Sequence, residues 1–450
     1  MKNENTVFEK IGNWVSHSVT LKLLVITILV LLLLIPSSMI MDLIAEREAL
    51  SQAATEEVSM KWANNQQLNG PVLTIPLVYE YKEKEELKEV VKYLYLLPNN
   101  LQVDGEVVPE KLKRGIYEVI VYKSQLAVSG SFDLMEKVDR TNLKQIQYGK
   151  AFLTIGISDL RGIKEELAVD WGGVDCQVKP GSKVPSIITQ GITVDLPNLE
   201  SSMGTKVPFH FSLNLQGSRS ISFVPVGGTT EVNVNSPWPS PSFYGNFLPD
   251  QRKVTGQGFE ARWKVLQLNR NFPQSWVDEM QGSNLQAAAF GVDLIFPVDD
   301  YQKSIRSAKY AVMTILMTFL IFFLVEVLNK RKIHPFQYAL VGLGLCLFYV
   351  LLVSISEHTD FNTAYAIAAF GVVAMIVLYS LTVFRKKKLS LLLLAVLVGA
   401  YSFLYVTLQL TDYALLMGSV GLTVMLAMTM YFTRNIDWYQ LSIGKEEEKG

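Results

Sequence analysis

Apolar positions along this chain follow two patterns, long unbroken runs near both ends and short interrupted runs between them. Leu21 to Met41 is apolar except for Lys22, Thr27, Pro36 and two serines, close to the ~20 residues a helix needs to cross a bilayer core. The run predicts a transmembrane anchor. A cleaved signal peptide has a shorter apolar core followed by small residues. Here the run leads into Asp42, Glu46, Arg47 and Glu48 with no A-x-A site, so the anchor is expected to be retained.

From Asp42 to about Ala63 charged and small residues recur at helical spacing, with Gly70-Pro71 beyond as a stop, which predicts a stalk helix. Val72 to Tyr81, Ile116 to Tyr122, Phe152 to Ile157, Ile221 to Val226 and Val292 to Val298 are short, β-branched and aromatic. Gly, Pro, Asn or Asp bound each of them, the signature of strands. Antiparallel sheets in a sandwich or barrel-like arrangement are expected, with helical pieces around Lys82 to Val91 and Leu134 to Gln145.

After Arg306 five apolar runs follow with short polar breaks: about Ala308 to Leu328, Gln337 to Ile355, Ala364 to Phe384, Leu389 to Leu410 and Tyr413 to Phe432. They predict a bundle of membrane-spanning helices. Lys330, Arg331 and Lys332 follow the first run and Arg385 to Lys388 the third, whereas the alternate breaks carry Glu357, Asp360 and Asp412 without Lys or Arg. Basic loops face the cytoplasm, so both chain ends are expected inside. The expected architecture is a multi-pass α-helical membrane protein with a large extracytoplasmic, mainly-β domain. Its predicted parts are a cytoplasmic N-terminus (1–20), an anchor helix (21–41), the extracytoplasmic domain (42–305), a five-helix bundle (306–432) and a cytoplasmic tail (433–450).

Composition adds exclusions. A hydrophobic fraction of 49% suits the membrane reading, and a net charge of -1 leaves no basic surplus for nucleic acid. Cys176 and Cys346 fall on opposite sides of a predicted membrane boundary, so no disulfide is expected; Cys176 reads as a small buried hydrophobe. The chain holds four histidines. His17 and His334 sit on the predicted cytoplasmic side, while His210 and His358 face outward without a Cys or second His at zinc-ligand spacing. No H-E-x-x-H, G-x-S-x-G or phosphate-loop motif is present. No catalytic residue, cofactor site or metal site is therefore assigned. His210, between Phe209 and Phe211, reads as structural. Glu165-Glu166 and Asp299-Asp300 read as solvated surface, since neighbouring carboxylates on a strand point to opposite faces.

Charges inside the apolar runs stand out more, because hydrocarbon makes them costly. Glu326 precedes Lys330 by four residues, the favourable order for a helical ion pair near the headgroups. Glu357 and His358, with Arg306 and Lys309 on the same predicted membrane face, are expected to form a salt-bridged hinge between domain and bundle. Gly342, Gly344, Ala364, Ala368, Gly371, Gly399, Gly418 and Gly421 are expected to let helices pack closely. A transport path more often has Gly/Pro-broken helices and polar side chains at mid-membrane, and here only Ser354, Ser380, Thr423 and a few similar hydroxyls appear, which weakens a transporter reading.

The stretch from Arg306, RSAKYAVMTILMTFLIFFLVEVLNKRKIHPFQYALVGLGLCLFYVLLVSISEHTDFNTAYAIA, strongly resembles the CreD family of inner-membrane proteins, also described as cell envelope integrity proteins. The middle of the chain agrees. GPVLTIP from Gly70, RGIYEVIVY from Arg114, GISDLRGI from Gly156, FVPVGGTTEV from Phe223, NSPWPSPSFYGNFLP from Asn235, GFEARW from Gly258 and GVDLIFPVDDY from Gly291 are similar to that family's blocks. The resemblance implies a bacterial inner-membrane protein tied to envelope integrity and, in some bacteria, to the regulon of a two-component sensor. It implies no reaction. In these blocks Gly227-Gly228 and Gly245 read as turn residues, and Pro237, Pro239 and Pro241 as stiffeners of an exposed edge. Trp238, Phe243 and Tyr244 are the candidate contact residues of that edge. The expected function is non-enzymatic support of envelope integrity or envelope stress response. Membrane lipids and an unidentified envelope protein or glycan are its expected partners, and a transporter or lipid-handling protein is the alternative.

Overall fold

The computed structural model describes residues 19–83, 86–135, 138–278, 281–294, 300–328, 333–410 and 414–434. His17, Asp299, Lys330, Arg331, Lys332 and Asp412 lie outside them. The chain forms two compact units, Ala53–Pro297 and Met1–Gln52 with Val298–Gly450.

The first unit is built on strand β1 (Gln66–Glu83), which pairs antiparallel with β2 (Glu86–Leu96), β5 (Leu143–Ile146) and β6 (Phe152–Ile157). Beside it lie β12 (Ser220–Phe223), β18 (Phe290–Leu294) and β14 (Pro241–Gly245) on one side and β10 (Gly191–Asp195) and β9 (Val178–Pro180) on the other, while β17 (Ser275–Val277) joins β2. A second sheet follows the order β15 (Gln251–Thr255), β16 (Gly258–Leu266), β13 (Thr229–Ser236), β3 (Asn100–Arg114), β4 (Tyr117–Asp133), β11 (Lys206–Ser218), β7 (Val169–Trp171) and β8 (Val174–Cys176). Buried and exposed residues alternate along β3, β11 and β16, so each buries one face. The two buried faces meet. Trp263 of β16 and Phe290 of β18 bring their rings to 5.5 Å, and the Tyr122 hydroxyl of β4 donates to the Ser220 carbonyl of β12 at 2.8 Å.

Three expectations are corrected here. The sheets are mixed, because β1 pairs parallel with β12 and β13 with β3. Lys82 to Val91 is no helix but the tip of the β1–β2 hairpin, where Lys82 faces Leu87 and Glu83 faces Glu86. Lys and Glu favour helices only weakly, and cross-strand pairs outweigh that: Lys144 reaches Glu80 at 2.6 Å and Glu89 at 2.5 Å. Leu134 to Gln145 is likewise not helical where described, and ends in β5.

The second unit is helical. Helix α1 (Val19–Trp62) runs 44 residues without a break and ends inside the β unit's sequence limits, so anchor and stalk are one element. After the short α2 (Gly282–Ala287) come α3 (Asp300–Lys309), α4 (Ala311–Leu328), α5 (Pro335–Ser356), α6 (Phe361–Phe384), α7 (Lys387–Gln409) and α8 (Ala414–Thr433). Among the described residues, α1, α5, α6 and α7 are each long and apolar enough to cross a membrane, and α3 with α4, bent by 40° at their break, makes a fifth. Their core holds Leu33, Phe319, Leu345, Phe348, Val372 and Leu397, while Leu31, Ile35, Phe370, Leu378 and Leu391 remain exposed, as lipid-facing side chains do. Gly342 is a contact point: a Cβ there would run into the Leu33 side chain of the anchor and touch the Phe319 ring, so a larger residue requires Leu33 to shift. Gly371 and Gly399 face open space and serve no such contact.

Candidate functional site

Three groups of side chains carry chemistry. The first is a buried ion pair in the helical unit. Pro335 starts α5, and the His334 ring nitrogen caps it by accepting the Phe336 amide at 3.2 Å, while the Gln337 side chain accepts the His334 amide at 3.0 Å. This capped turn brings Ile333 and Tyr338 against the end of α4. Glu326, fully buried, accepts from the Ile333 amide at 2.8 Å and from the Tyr338 hydroxyl at 3.0 Å. Its counter-ion is Lys22 from the start of α1, itself only 7% exposed. Lys330, the partner suggested by helical spacing, lies outside the described residues. The pair was missed because its members are far apart in sequence. One signal was available: each is a lone charge within an apolar run, and the predicted topology puts both at the same end of their spans.

The second group surrounds Glu357, which closes α5. Arg47 Nε of α1 approaches its carboxylate at 3.8 Å and the Tyr301 hydroxyl of α3 at 3.4 Å. Lys303 lies over the Phe361 ring at 5.0 Å. Of the residues nominated with Glu357, Arg306 is half-buried with one guanidinium nitrogen lacking an acceptor among the described residues, and Lys309 and His358 are exposed. Neither Arg306 nor Lys309 forms an ion pair with Glu357; the structure supplies Arg47 and Tyr301 instead. Deeper in the unit Phe348 contacts Tyr349, Tyr365 and Tyr401 at ring separations of 4.9, 5.3 and 4.6 Å, and the Tyr365 hydroxyl donates to the Tyr401 carbonyl at 2.7 Å. These tyrosines add to the interior polarity, beside buried hydroxyls that include Ser37, Thr314, Thr318 and Ser380. Ser380 bonds its own helix at Val377 and Thr423 at Ser419.

The third group lies on the β unit. The edge nominated at Trp238 is not an exposed one: Trp238 is only 8% exposed, and Phe243 stands edge-on to Phe259 and Trp263 at 5.7 Å each. Strand β14 pairs with β18 and thereby holds Phe243 against the core, while Trp238 is buried just before that strand; Tyr244 stays half-buried. The open feature is instead a polar groove of about 860 Å³ on the outer face of the eight-stranded sheet. In it Arg262 donates to Asn233 at 2.7 Å, Asn233 to Asp104 at 2.6 Å, and Gln102 to the other Asp104 oxygen at 2.8 Å. A smaller depression beyond Asn214 includes the exposed His210 with Glu165, Glu166, Asp170 and Asp175. Among the described residues no group of three or more His, Cys, Asp or Glu is placed to hold a metal. Cys176 and Cys346 are free and buried, and burial raises the Cys176 thiol above its ordinary value.

An apolar helical unit joined to a large two-sheet β unit defines a membrane protein with a β domain. More narrowly, the chain belongs to the family described as inner membrane protein CreD, whose model matches residues 18–439. The inner membrane protein CreD of Escherichia coli (strain K12) is 35% identical over 420 residues, 92% of this chain and 93% of that protein. An M1 zinc metallopeptidase from Deinococcus radiodurans aligns at a TM-score of 0.21 and 10% identity, covering 78% of this chain and 95% of its own, a level from which no shared fold follows.

Proposed function

We infer that the chain is a non-enzymatic inner-membrane protein that supports envelope integrity, presenting its β unit outside the cytoplasm to an envelope component while its helices anchor it. One observation carries this reading. Both ends of the β unit's sequence run into membrane-anchoring helices, α1 before Ala53 and α3–α4 after Pro297. A domain tethered at both ends is held at the bilayer and cannot diffuse away. Basic loops supply the direction, with six crossings, the β unit outside and both chain ends inside. Arg306, Lys309, Glu357 and His358, joined by Arg47 and Tyr301, then form a hydrated rim at the outer boundary. Of Trp238, Phe243 and Tyr244, the half-buried Tyr244 stays the best-placed candidate contact with an envelope protein or glycan.

The test is a cysteine-labelling scan in a background lacking Cys176 and Cys346. Position 240 is expected to react with an impermeant maleimide in intact cells, and position 387 only after permeabilisation. Labelling of 387 in intact cells overturns the orientation. A second reading, transport or lipid handling by the helices, is favoured by the buried Lys22–Glu326 pair, since intramembrane ionisable residues commonly mark transport paths.

A further inference from the structure

The groove on the eight-stranded sheet is laid out in two side-chain rows. Register places Gln251, Arg262, Asn233, Asp104, Ala127 and Ser212 side by side across β15, β16, β13, β3, β4 and β11. Two residues along each strand, Lys253, Glu260, Asn235, Glu106, Gln125 and Asn214 form the adjacent row. At ~4.8 Å per strand the rows extend for roughly 24 Å. Ala127 and Ser212, paired directly, make a low floor at one end of the first row, with the longer Gln125 and Asn214 beside them. The other end is already ordered, because the Arg262–Asn233–Asp104–Gln102 chain of hydrogen bonds fixes those side chains before any ligand arrives.

The lining decides what kind of ligand fits. Its charges balance, with Asp104, Glu106 and Glu260 against Arg252, Lys253 and Arg262. A groove with no cationic surplus does not hold a polyanion such as nucleic acid. Its lining includes no aromatic residue, so of the side chains that anchor protein–protein contacts it offers only Arg252 and Arg262, the latter already engaged with Asn233, and it is too polar for a lipid chain. Amides and carboxylates in mixed rows offer donors and acceptors in alternation, which suits a neutral ligand whose every hydroxyl both donates and accepts.

The geometry points to a binding groove for an extended, neutral saccharide chain along the outer face of this sheet. This inference rests on the reading that the β unit lies outside the cytoplasm, where envelope polysaccharides are found, and it gives that reading a partner class.

The test uses the full chain in lipid nanodiscs, free of sugar-headed detergent, titrated with a β-1,4-linked N-acetylglucosamine hexamer and followed by calorimetry and saturation-transfer NMR. Saturable binding is expected, with an affinity that does not fall as salt is raised. Asn233→Ala, which breaks the ordered chain, is expected to weaken binding about tenfold. Ala127→Trp, which fills the floor from a solvent-facing position without removing a hydrogen bond, is expected to abolish it while circular dichroism stays unchanged. Absence of saturable binding, binding retained by both variants, or binding of heparin alone each overturns the proposal. Labelling of Asn235→Cys in intact cells keeps the two readings apart. A chain that labels from outside yet ignores the hexamer loses the groove and keeps its orientation; one that binds the hexamer yet labels only after permeabilisation loses the orientation.

Discussion

Asp159 sits just past β6, where the chain leaving α1 passes beside it. Its carboxylate, 7% exposed, accepts from the Asn64 amide at 2.9 Å and from Arg161 through Nε at 2.9 Å and Nη2 at 2.6 Å. The Arg161 guanidinium first, and then the Asn64 and Arg161 amides, hold it down to about 2 from an ordinary 3.8. A carboxylate whose folded value is depressed contributes stability above its unfolded value and loses it as pH falls through the folded one. Asp159→Asn is therefore expected to cost about 2 kcal/mol near neutral pH, and the gap to wild type is expected to close as pH is lowered from 5 towards 2. Denaturant unfolding followed by tryptophan fluorescence measures both; a gap that persists at the acid end removes this account. The Arg161 contact is local, two residues on in the same turn, but the Asn64 contact was not legible beforehand, because Asn64 meets Asp159 only once β1 and β6 are paired. The same holds at Glu357: sequence put Arg306 and Lys309 on its membrane face, but side-chain reach on packed helices decided for Arg47 and Tyr301.

The Lys22–Glu326 pair works between elements. It fastens the start of α1 to the end of α4, and Tyr338 adds the first turn of α5. Removing one member leaves an uncompensated charge in a buried site, whereas removing both leaves two apolar side chains. Lys22→Met alone or Glu326→Met alone is expected to cost about 3–5 kcal/mol, and the double substitution to recover most of that loss. Thermal unfolding of the full chain in nanodiscs reads the cycle, and a neutral single substitution would falsify the fastening role. A double variant that folds normally yet loses its envelope phenotype favours the transport reading instead. Elements themselves were the most legible level. The run expected from Ala364 to Phe384 is helix Phe361–Phe384, begun earlier because the Asp360 carboxylate accepts the Thr363 amide at 3.0 Å. Phe152–Ile157 appears with the expected limits. The strand expected from Ile116 to Tyr122 continues to Asp133 because Leu126, Val128 and Phe132 keep pointing inward between small and polar residues. The parallel pairings had no local signal, since partner choice in a sheet depends on residues far apart in the chain.

At the scale of the molecule the chain carries two separate cores, one around Trp263, Phe209 and Phe290 and one around Phe319, Phe348 and Tyr349. The β unit also ties down its own helical entry: Arg114 pairs with Glu57 at 2.9 Å, and Arg161 reaches the Met60 carbonyl. A fragment of residues 53–297 is thus expected to be soluble and to unfold cooperatively with a β-type circular dichroism spectrum. A fragment that stays collapsed without fixed tertiary structure shows that the helices are needed for its fold. The limits of this unit were only approximate from sequence, for the division falls within an unbroken helix and hydropathy marks where lipid contact stops, not where one core gives way to another. Its sheets end in a particular manner. On the eight-stranded sheet, β15 carries Arg252 and Lys253 and is exposed along its whole length, and β8 at the far end has three residues. On the other sheet, β14 opens with Pro241, and β9 has three residues and closes on Pro180. Charge, brevity and proline each spoil an edge as a template for another strand. Many copies crowded in one membrane can therefore collide edge to edge without zipping into fibrils, so the protein can reach high density there without seeding its own aggregation.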